Sequence, residues 1–302
     1  MIKKLIIPAA GYGTRFLPAT KAVPKPLLPV LNKPSIQWVV EEAISSGIKE
    51  IICVVMPEHK TMKEHFSYNP KLVAHLKKFN KTDLLKNFPK IKISFIPQRH
   101  FYGTAYPILD AEYLIKNEPF AVVWADEIDL GETPRLKQLI QCFEKYKNPV
   151  ISVYQIDDEG TKKYAVVTGQ TIAKDIWRIE KLVEKPGPEK ALSRLGSRGG
   201  YILTPDIFKV LKKIRTTLKP NQEFYLTDGI HELAKKRPVY AKLIKNKLYD
   251  TGNLLDWLKT NVELGLKDRR IGRDFKQFFK SKIQMTNVKS SLKSKKNNYF
   301  GI

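Results

Sequence analysis

The chain has 302 residues and a hydrophobic content of 42%, which suffices for one large α/β domain or two small ones. No apolar run approaches the length of a membrane span, and the two cysteines, Cys53 and Cys142, lie far apart in apolar or helical stretches. We therefore expect a cytoplasmic protein with no membrane partner and no disulfide framework. The formal net charge of +24 permits nucleic acid as a partner, but the lysines are dispersed without a nucleic-acid motif, so we expect none.

The first predicted element is a short buried strand at residues 5–7, which leads into a glycine loop at Gly11 and Gly13. Arg15 and Lys25 follow this loop. Glycines let backbone N–H groups approach phosphate oxygens closely, and cations neutralise the remaining charge. The pattern is typical of a polyphosphate-binding loop. An ordinary β-turn with basic residues at the surface is the alternative.

Two common nucleotide-binding fingerprints do not fit this loop. The dinucleotide fingerprint needs a third glycine where Phe16 stands, and the P-loop needs a Gly-Lys-Ser/Thr sequence that is not present. Prolines at positions 18, 24, 26 and 29 also forbid a continuous helix there. We expect an extended segment that carries Lys25 away from Gly11, so that one stretch supplies backbone donors and two separate cations.

Apolar strands and helix-spaced patterns then alternate as far as residue 154. This order predicts a mainly parallel sheet covered by helices on both faces. The predicted strands are residues 50–55, 91–95, 120–124 and 149–154, and the predicted helices are residues 36–44, 60–88 (broken near Asn80), 105–114 and 134–147.

The second half of the chain has shorter, alternating strands at residues 165–169 and 177–179, which predict a small antiparallel region beside the parallel sheet. Further strands are predicted at 199–203, 239–243 and 247–249, and further helices at 205–213, from 226 onward and at 254–266. We place the catalytic domain at residues 1–266. Residues 267–302 form a basic C-terminal tail, which we expect to be helical at first and then disordered.

Asp126 stands just past a predicted strand end, as do Gly11 and Gln98. In open α/β sheets ligands gather at the carboxyl ends of strands, so we expect these residues to share one cleft. A carboxylate that faces a triphosphate is suited to Mg²⁺, which binds one or two carboxylates together with phosphate oxygens. The alternative for Asp126 is a turn-forming residue before the next segment.

Seven different short motifs are distributed along the chain between the first predicted strand and the last predicted helix. They are AAGYGTR at 9–15, KPLLP at 25–29, NKP at 32–34, VEKP at 183–186, YILTP at 201–205, LTD at 226–228 and YDTG at 249–252. Together they resemble the bacterial-type UTP–glucose-1-phosphate uridylyltransferases, within the sugar-phosphate nucleotidyltransferase family. The resemblance covers about residues 3–266. An insertion around residues 71–88 and the spacer at 187–198 favour the glucose uridylyl branch over the thymidylyl branch.

This resemblance implies the nucleotide-diphospho-sugar transferase fold, a Rossmann-like α/β fold, and a nucleotide site on the first strands. Arg15 would bind the β and γ phosphates of UTP, and Lys25 would bind the α-phosphate. The base and ribose would be held by Ala10, Gly11, Gly13, Gln98 and Gly103.

The resemblance also implies a sugar and metal site, with the antiparallel region binding the sugar. Asp126 and Asp250 would share Mg²⁺, while Glu184 would bind sugar hydroxyls and Lys185 would pair with the sugar phosphate. The other implied substrate contacts are Tyr164 and Gly200. The family also implies a homodimer or homotetramer.

The implied reaction transfers a uridylyl group from UTP to glucose 1-phosphate. A phosphate monoester is largely dianionic near neutral pH, because its second pKa is about 6, so it needs no general base. The five scattered histidines agree with that. The alternatives are a sister enzyme that uses dTTP or another sugar, and a non-catalytic regulator that binds a nucleotide sugar. Departures from the family pattern at Pro26, Glu127, Ala165 and Asn253 leave the choice of sugar most open.

Overall fold

The computed structural model describes residues 2–99 and 103–282. The strands are β1 Lys4–Ala9, β2 Pro29–Val30, β3 Lys33–Pro34, β4 Glu50–Val55, β5 Lys92–Pro97, β6 Phe120–Val123, β7 Glu127–Leu130, β8 Val150–Gln155, β9 Ala165–Ala173, β10 Ile176–Val183, β11 Leu195–Leu203, β12 Tyr240–Leu243 and β13 Lys247–Asp250. The α-helices are α1 Ser35–Ser45, α2 Lys60–Phe66, α3 Pro70–Lys78, α4 Tyr106–Asp110, α5 Glu112–Ile115, α6 Arg135–Tyr146, α7 Asp158–Lys163, α8 Asp206–Arg215, α9 Leu226–Ala234 and α10 Leu254–Lys267. Residues 272–282 are also helical.

Nine strands form one mixed sheet in the order β5-β4-β1-β6-β11-β8-β12-β10-β9. The first four are parallel, and β12 is parallel to β8. β11 runs antiparallel to both β6 and β8, and β9 and β10 extend the far edge as an antiparallel pair. β9 also pairs with the start of β11, so the sheet curls back on itself at this end.

The sheet is buried on both faces because its central strands are almost uninterrupted apolar runs, whose successive side chains point to opposite faces. In β1, Ile6 belongs to the core cluster beneath α4, α5, α8 and α9, whereas Leu5 and Ile7 belong to the cluster beneath α1 and α6. All three side chains are fully buried. The predicted α/β class, with helices on both faces, is therefore confirmed.

Three features differ from the sequence-based expectation. The short strands of the second half join the main sheet, because β10 pairs with β12, which is itself paired with β8. The strands β7 and β13 form a separate two-stranded sheet, and β7 was not predicted. The six-residue helix α7 was not predicted either. Short elements with few apolar positions carry too weak a periodic signal to be recognised.

The predicted helical stretch at residues 60–88 consists of α2, α3 and a 3₁₀ segment at Thr82–Asn87, of which α3 and the 3₁₀ segment make up the predicted insertion. Of the predicted tail, residues 283–302 lie outside the described residues. Within the part of the chain that the structure describes, no helix is both long and apolar enough to cross a membrane.

Candidate active site

The opening loop folds back on itself instead of running out in an extended segment. Residues 14–27 contain three single 3₁₀ turns, Thr14–Phe16, Ala19–Lys21 and Lys25–Leu27. Gly13 has a φ of +63°, and a Cβ atom at this position would lie 2.8 Å from the Cβ atom of Lys25. The expectation that Lys25 is carried away from the glycine loop is thus wrong in its geometry, because the prolines favour tight turns that return the lysine to Gly13.

We predict that Gly13→Ala destabilises the protein by about 1–3 kcal/mol, because alanine is strained at positive φ and its methyl group would displace Lys25. Gly47→Ala is the matched control, since Gly47 has a φ of +89° but open space at the Cβ position. Urea unfolding should show a larger loss of unfolding free energy for Gly13→Ala than for Gly47→Ala. Equal losses would mean that contact with Lys25 contributes nothing.

The ends of four strands bring the predicted nucleotide residues to one edge of the sheet. Ala9 is paired with Val55, Val55 is paired with Pro97, and the backbone N–H of Gln98 donates to the carbonyl of Val55. Strand β6 lies on the other side of β1, so that Asp126 follows it at the same edge. Ala10 and Gln98 are buried, whereas Gly11 and Arg15 are exposed and open to a ligand.

Asp126 and Asp250 face the same small space, although they are 124 positions apart in the sequence. A Cβ atom at Gly252 would lie 2.6 Å from Oδ1 of Asp250 and 3.6 Å from Oδ2 of Asp126. Pairing of β13 with β7 sets this geometry, and both the backbone N–H and the hydroxyl of Thr251 donate to the carbonyl of Asp126 at 2.8 Å. The glycine leaves the space between the two carboxylates open.

Each of these carboxylates already has partners. The ammonium of Lys25 is 2.5 Å from Oδ2 of Asp126. The hydroxyl of Tyr164 donates to Oδ2 of Asp250 at 2.7 Å, and the backbone N–H of Gly252 donates to its Oδ1 at 2.6 Å. Four predicted site residues therefore lie close together, namely Lys25, Asp126, Tyr164 and Asp250. A cleft of about 410 Å³ borders Tyr164 and Asp250.

Glu184 and Lys185 lie at the same end of the β9–β10 ladder as Tyr164, since Val183 is paired with Val166. The hydroxyl of Thr227 donates to Oε2 of Glu184 at 2.8 Å. Burial raises the pKa of the Glu184 carboxyl, while the Thr227 hydroxyl and the Lys185 ammonium act against that rise. Lys185 lies 3.6 Å from Glu184 and over the ring of Tyr225, with its side chain 44% exposed.

The two remaining predicted glycines are packed against protein atoms. A Cβ atom at Gly103 would lie 2.2 Å from the carbonyl oxygen of Phe224, in the segment that leads to Thr227. A Cβ atom at Gly200 would lie 2.8 Å from Cδ of Arg135. The absence of a side chain at Gly200 therefore has a structural reason of its own, and its role in sugar binding stays a prediction.

A buried group of charges beneath the site was not found from the sequence. The guanidinium of Arg135 is fully buried and lies 2.8 Å from Glu42 and 3.7 Å from Glu127. Burial raises the pKa of the Glu127 carboxyl to about 7, against the opposing effect of Arg198 and Arg135. The signal for this group was weak, because Glu42 and Arg135 occupy helical positions where charged residues are usually exposed.

The fold and the site together define a nucleotide-dependent transferase, with a glycine loop, cations and paired carboxylates at the strand ends. The chain belongs to the nucleotidyl transferase family, whose model matches residues 4–265. It is 38% identical over 269 residues to UTP–glucose-1-phosphate uridylyltransferase YngB of Bacillus subtilis, a match that covers 88% of this chain and 90% of the relative. The predicted family and the predicted nucleotidyltransferase class are confirmed.

Solved structures of UDP-glucose pyrophosphorylases also resemble this chain. A UDP-glucose pyrophosphorylase complexed with UDP-glucose is 35% identical, with a TM-score of 0.79 over 89% of this chain and 100% of that one. The UTP-bound enzyme from Acinetobacter baumannii is 29% identical, with a TM-score of 0.81 over 92% of this chain and 99% of that one.

Proposed function

We propose that this chain transfers a uridylyl group from UTP to glucose 1-phosphate and releases UDP-glucose and pyrophosphate. The observation that carries the proposal is the junction of Lys25, Asp126 and Asp250 beside the glycine loop, which is suited to a nucleoside triphosphate. The relatives named for this reaction, and the solved structures with UTP and with UDP-glucose, support the choice of substrates.

In the proposed reaction an oxygen of glucose 1-phosphate attacks the α-phosphorus of UTP. The bond to the bridging oxygen of the β-phosphate breaks, and pyrophosphate leaves with that oxygen. Two anions must meet, so alignment and charge neutralisation provide most of the catalysis. We assign the α-phosphate to Lys25, which packs on Gly13 and pairs with Asp126, and the β and γ phosphates to Arg15, which is exposed.

We further propose that Asp126 and Asp250 hold Mg²⁺. Their carboxylates supply the hard oxygen donors that Mg²⁺ prefers, and Gly252 keeps the space between them free of a side chain. Among residues 2–99 and 103–282 no three acidic, histidine or cysteine side chains form a metal cluster. A site with two carboxylates suits a cation that retains phosphate oxygens and water as ligands, and such a cation would polarise the attacked phosphate.

For the sugar phosphate we propose Lys185 and Glu184, which lie at the same end of the β9–β10 ladder as Tyr164. Replacing Lys185 with Met should raise the KM for glucose 1-phosphate about tenfold and leave the KM for UTP nearly unchanged, because a charge-assisted contact to one substrate is lost. Steady-state pyrophosphate release measures both constants. Lys181→Met is the matched control, since Lys181 is exposed on β10, the strand that leads to Lys185. An equal rise in both KM values would argue against a sugar-phosphate contact.

The experiment that tests the proposed function offers the wild-type protein several nucleoside triphosphates and several sugar 1-phosphates in competition. Pyrophosphate release and product masses identify the preferred pair. We expect UTP and glucose 1-phosphate. Preference for dTTP or for another sugar would establish a sister enzyme, and nucleotide binding without pyrophosphate release would establish a regulator.

Three broader expectations also stay proposals. The first is a cytoplasmic location, which agrees with the two free and buried thiols. The second is assembly as a homodimer or homotetramer, and the third is a division into a catalytic domain and a basic tail.

A further inference from the structure

A bulge in β11 brings an arginine to the candidate active site. The pairing of β11 with β8 shifts register between Ser197 and Tyr201, and Gly199 within the shift has a φ of +37°. The hydroxyl of Ser152, on β8, lies within hydrogen-bond distance of the carbonyl oxygens of Arg198 and Gly200 and can donate to either. The neighbouring strand therefore holds the bulge in place, and the bulge fixes the direction in which Arg198 leaves the sheet.

The glycines of the bulge make room for buried charges. A Cβ atom at Gly199 would lie only 1.6 Å from Oε2 of Glu127, and one at Gly200 would lie 2.8 Å from Cδ of Arg135. Side chains at these two positions would expel the carboxylate and the guanidinium from the places they occupy. The local backbone of β11 is thus matched to the pair Glu127 and Arg135.

Arg198 lies between this buried pair and Asp250. Its Nε is 3.8 Å from Oε1 of Glu127, and one terminal nitrogen is 3.8 Å from Oδ2 of Asp250. The guanidinium stacks 4.4 Å from the centre of the Tyr164 ring, and only 13% of the side chain is exposed. Arg198 therefore contacts both the carboxylate and the tyrosine that donates to it.

We propose that Arg198 is a positioning residue, which orients the Asp250 carboxylate for cation binding. Glu127 holds the guanidinium from one side, and the guanidinium holds Tyr164 and Asp250 on the other. Oδ2 of Asp250 is then fixed by Tyr164 and Arg198, and Oδ1 by the N–H of Gly252. This inference rests on the proposed function only in taking Asp250 as a metal ligand. Outer contacts of this kind set the direction of a ligand and with it the affinity for the metal.

Two physical effects of Arg198 on a cation oppose each other. Its positive charge would repel a metal ion at Asp250, whereas its contact with the carboxylate and with Tyr164 restricts the motion of the ligand. Orientation should dominate because the Glu127 carboxylate faces the same guanidinium, and because the guanidinium stacks on Tyr164, whose hydroxyl donates to Asp250. The sign of the change in metal affinity therefore decides between the two effects.

The test measures Mn²⁺ binding to the free protein by water-proton relaxation, with Mn²⁺ alone as the probe. For Arg198→Met we expect an affinity lower by about tenfold or more, and for Arg198→Lys a smaller loss, because the lysine ammonium can still contact the Asp250 carboxylate and orient it. Arg194→Met is the matched control, since Arg194 lies on the approach to β11 and pairs with Asp158 at the surface. Its Mn²⁺ affinity should equal that of the wild type.

Any one of the following would overturn the proposal: an unchanged affinity in Arg198→Met, a higher affinity in that variant, or an absence of Mn²⁺ binding in the wild type. A loss in Arg194→Met equal to that in Arg198→Met would do so as well. Addition of Glu127→Gln to Arg198→Met should weaken Mn²⁺ binding no further, because both residues act through the same carboxylate. Turnover of UTP and glucose 1-phosphate by the wild type is measured separately, so failure of the proposed function is recognised by itself.

Discussion

Replacement of Asp250 with Asn is expected to reduce pyrophosphate release from UTP and glucose 1-phosphate by on the order of a thousandfold, with the fold intact. The amide would keep the size of the side chain and one acceptor oxygen, but it would remove the negative charge that a cation needs. Asn can still accept from the hydroxyl of Tyr164 or from the N–H of Gly252, so local packing should persist. Steady-state turnover at saturating Mg²⁺ and thermal unfolding measure the two properties.

Asp175→Asn is the matched control for this variant. Asp175 pairs with Lys245 at the surface and has a φ of +62°, a backbone conformation that asparagine tolerates well. Its turnover should equal that of the wild type. Full activity of Asp250→Asn would remove Asp250 from the site, and unfolding of the variant would show that the aspartate is chiefly structural.

Replacement of Arg135 with Met should lower the free energy of unfolding by about 3–5 kcal/mol, because it leaves buried carboxylates without their cation. Oε2 of Glu42 is 2.8 Å from the guanidinium, and its Oε1 accepts the backbone N–H of Leu136 at 3.0 Å. Burial raises the pKa of the Glu42 carboxyl even with Arg135 present, which indicates how costly that charge is in the interior. Urea unfolding at neutral pH measures the loss.

The surface pair formed by Arg194 and Asp158 provides the comparison. Arg194→Met should cost less than about 1 kcal/mol, since exposed ion pairs contribute little. Adding Glu42→Gln to Arg135→Met should restore part of the stability, because it removes the uncompensated charge. A loss below 1 kcal/mol for Arg135→Met would mean that water or a rearranged cation reaches Glu42.

The order of the strands and helices was predictable because their apolar residues repeat with clear periods. β1, β4, β6 and β8 are short, almost uninterrupted apolar runs, and α1 and α6 have one apolar face. The path of the chain beyond residue 165 was harder to predict. Pairing of β9 with both β10 and β11 depends on contacts between distant parts of the chain, which local periodicity does not encode.

The candidate site was predictable where motifs and strand ends coincide. Gly13, Lys25, Asp126 and Asp250 were proposed from the sequence, and the structure brings them together. Contacts that involve no motif were missed. Arg198 reaches Asp250 only because β11 contains a bulge, and a bulge between distant partners leaves no periodic trace in the sequence.

The opening segment shows another limit of structure prediction from sequence. The prolines excluded a continuous helix correctly, yet they did not specify an extended chain. Proline favours tight turns as readily as extended backbone, and packing of Lys25 against Gly13 selects the turns. The proposed phosphate site is therefore more compact than the sequence alone indicated.

An isotope-transfer experiment tests directly whether a sugar phosphate attacks the α-phosphorus of UTP. The wild-type protein is given UTP, Mg²⁺ and glucose 1-phosphate that carries ¹⁸O in its non-bridging phosphate oxygens, and the product masses are measured. All of the ¹⁸O should be found in UDP-glucose, and the pyrophosphate should be unlabelled. Label in pyrophosphate, or no UDP-glucose at all, would contradict this mechanism.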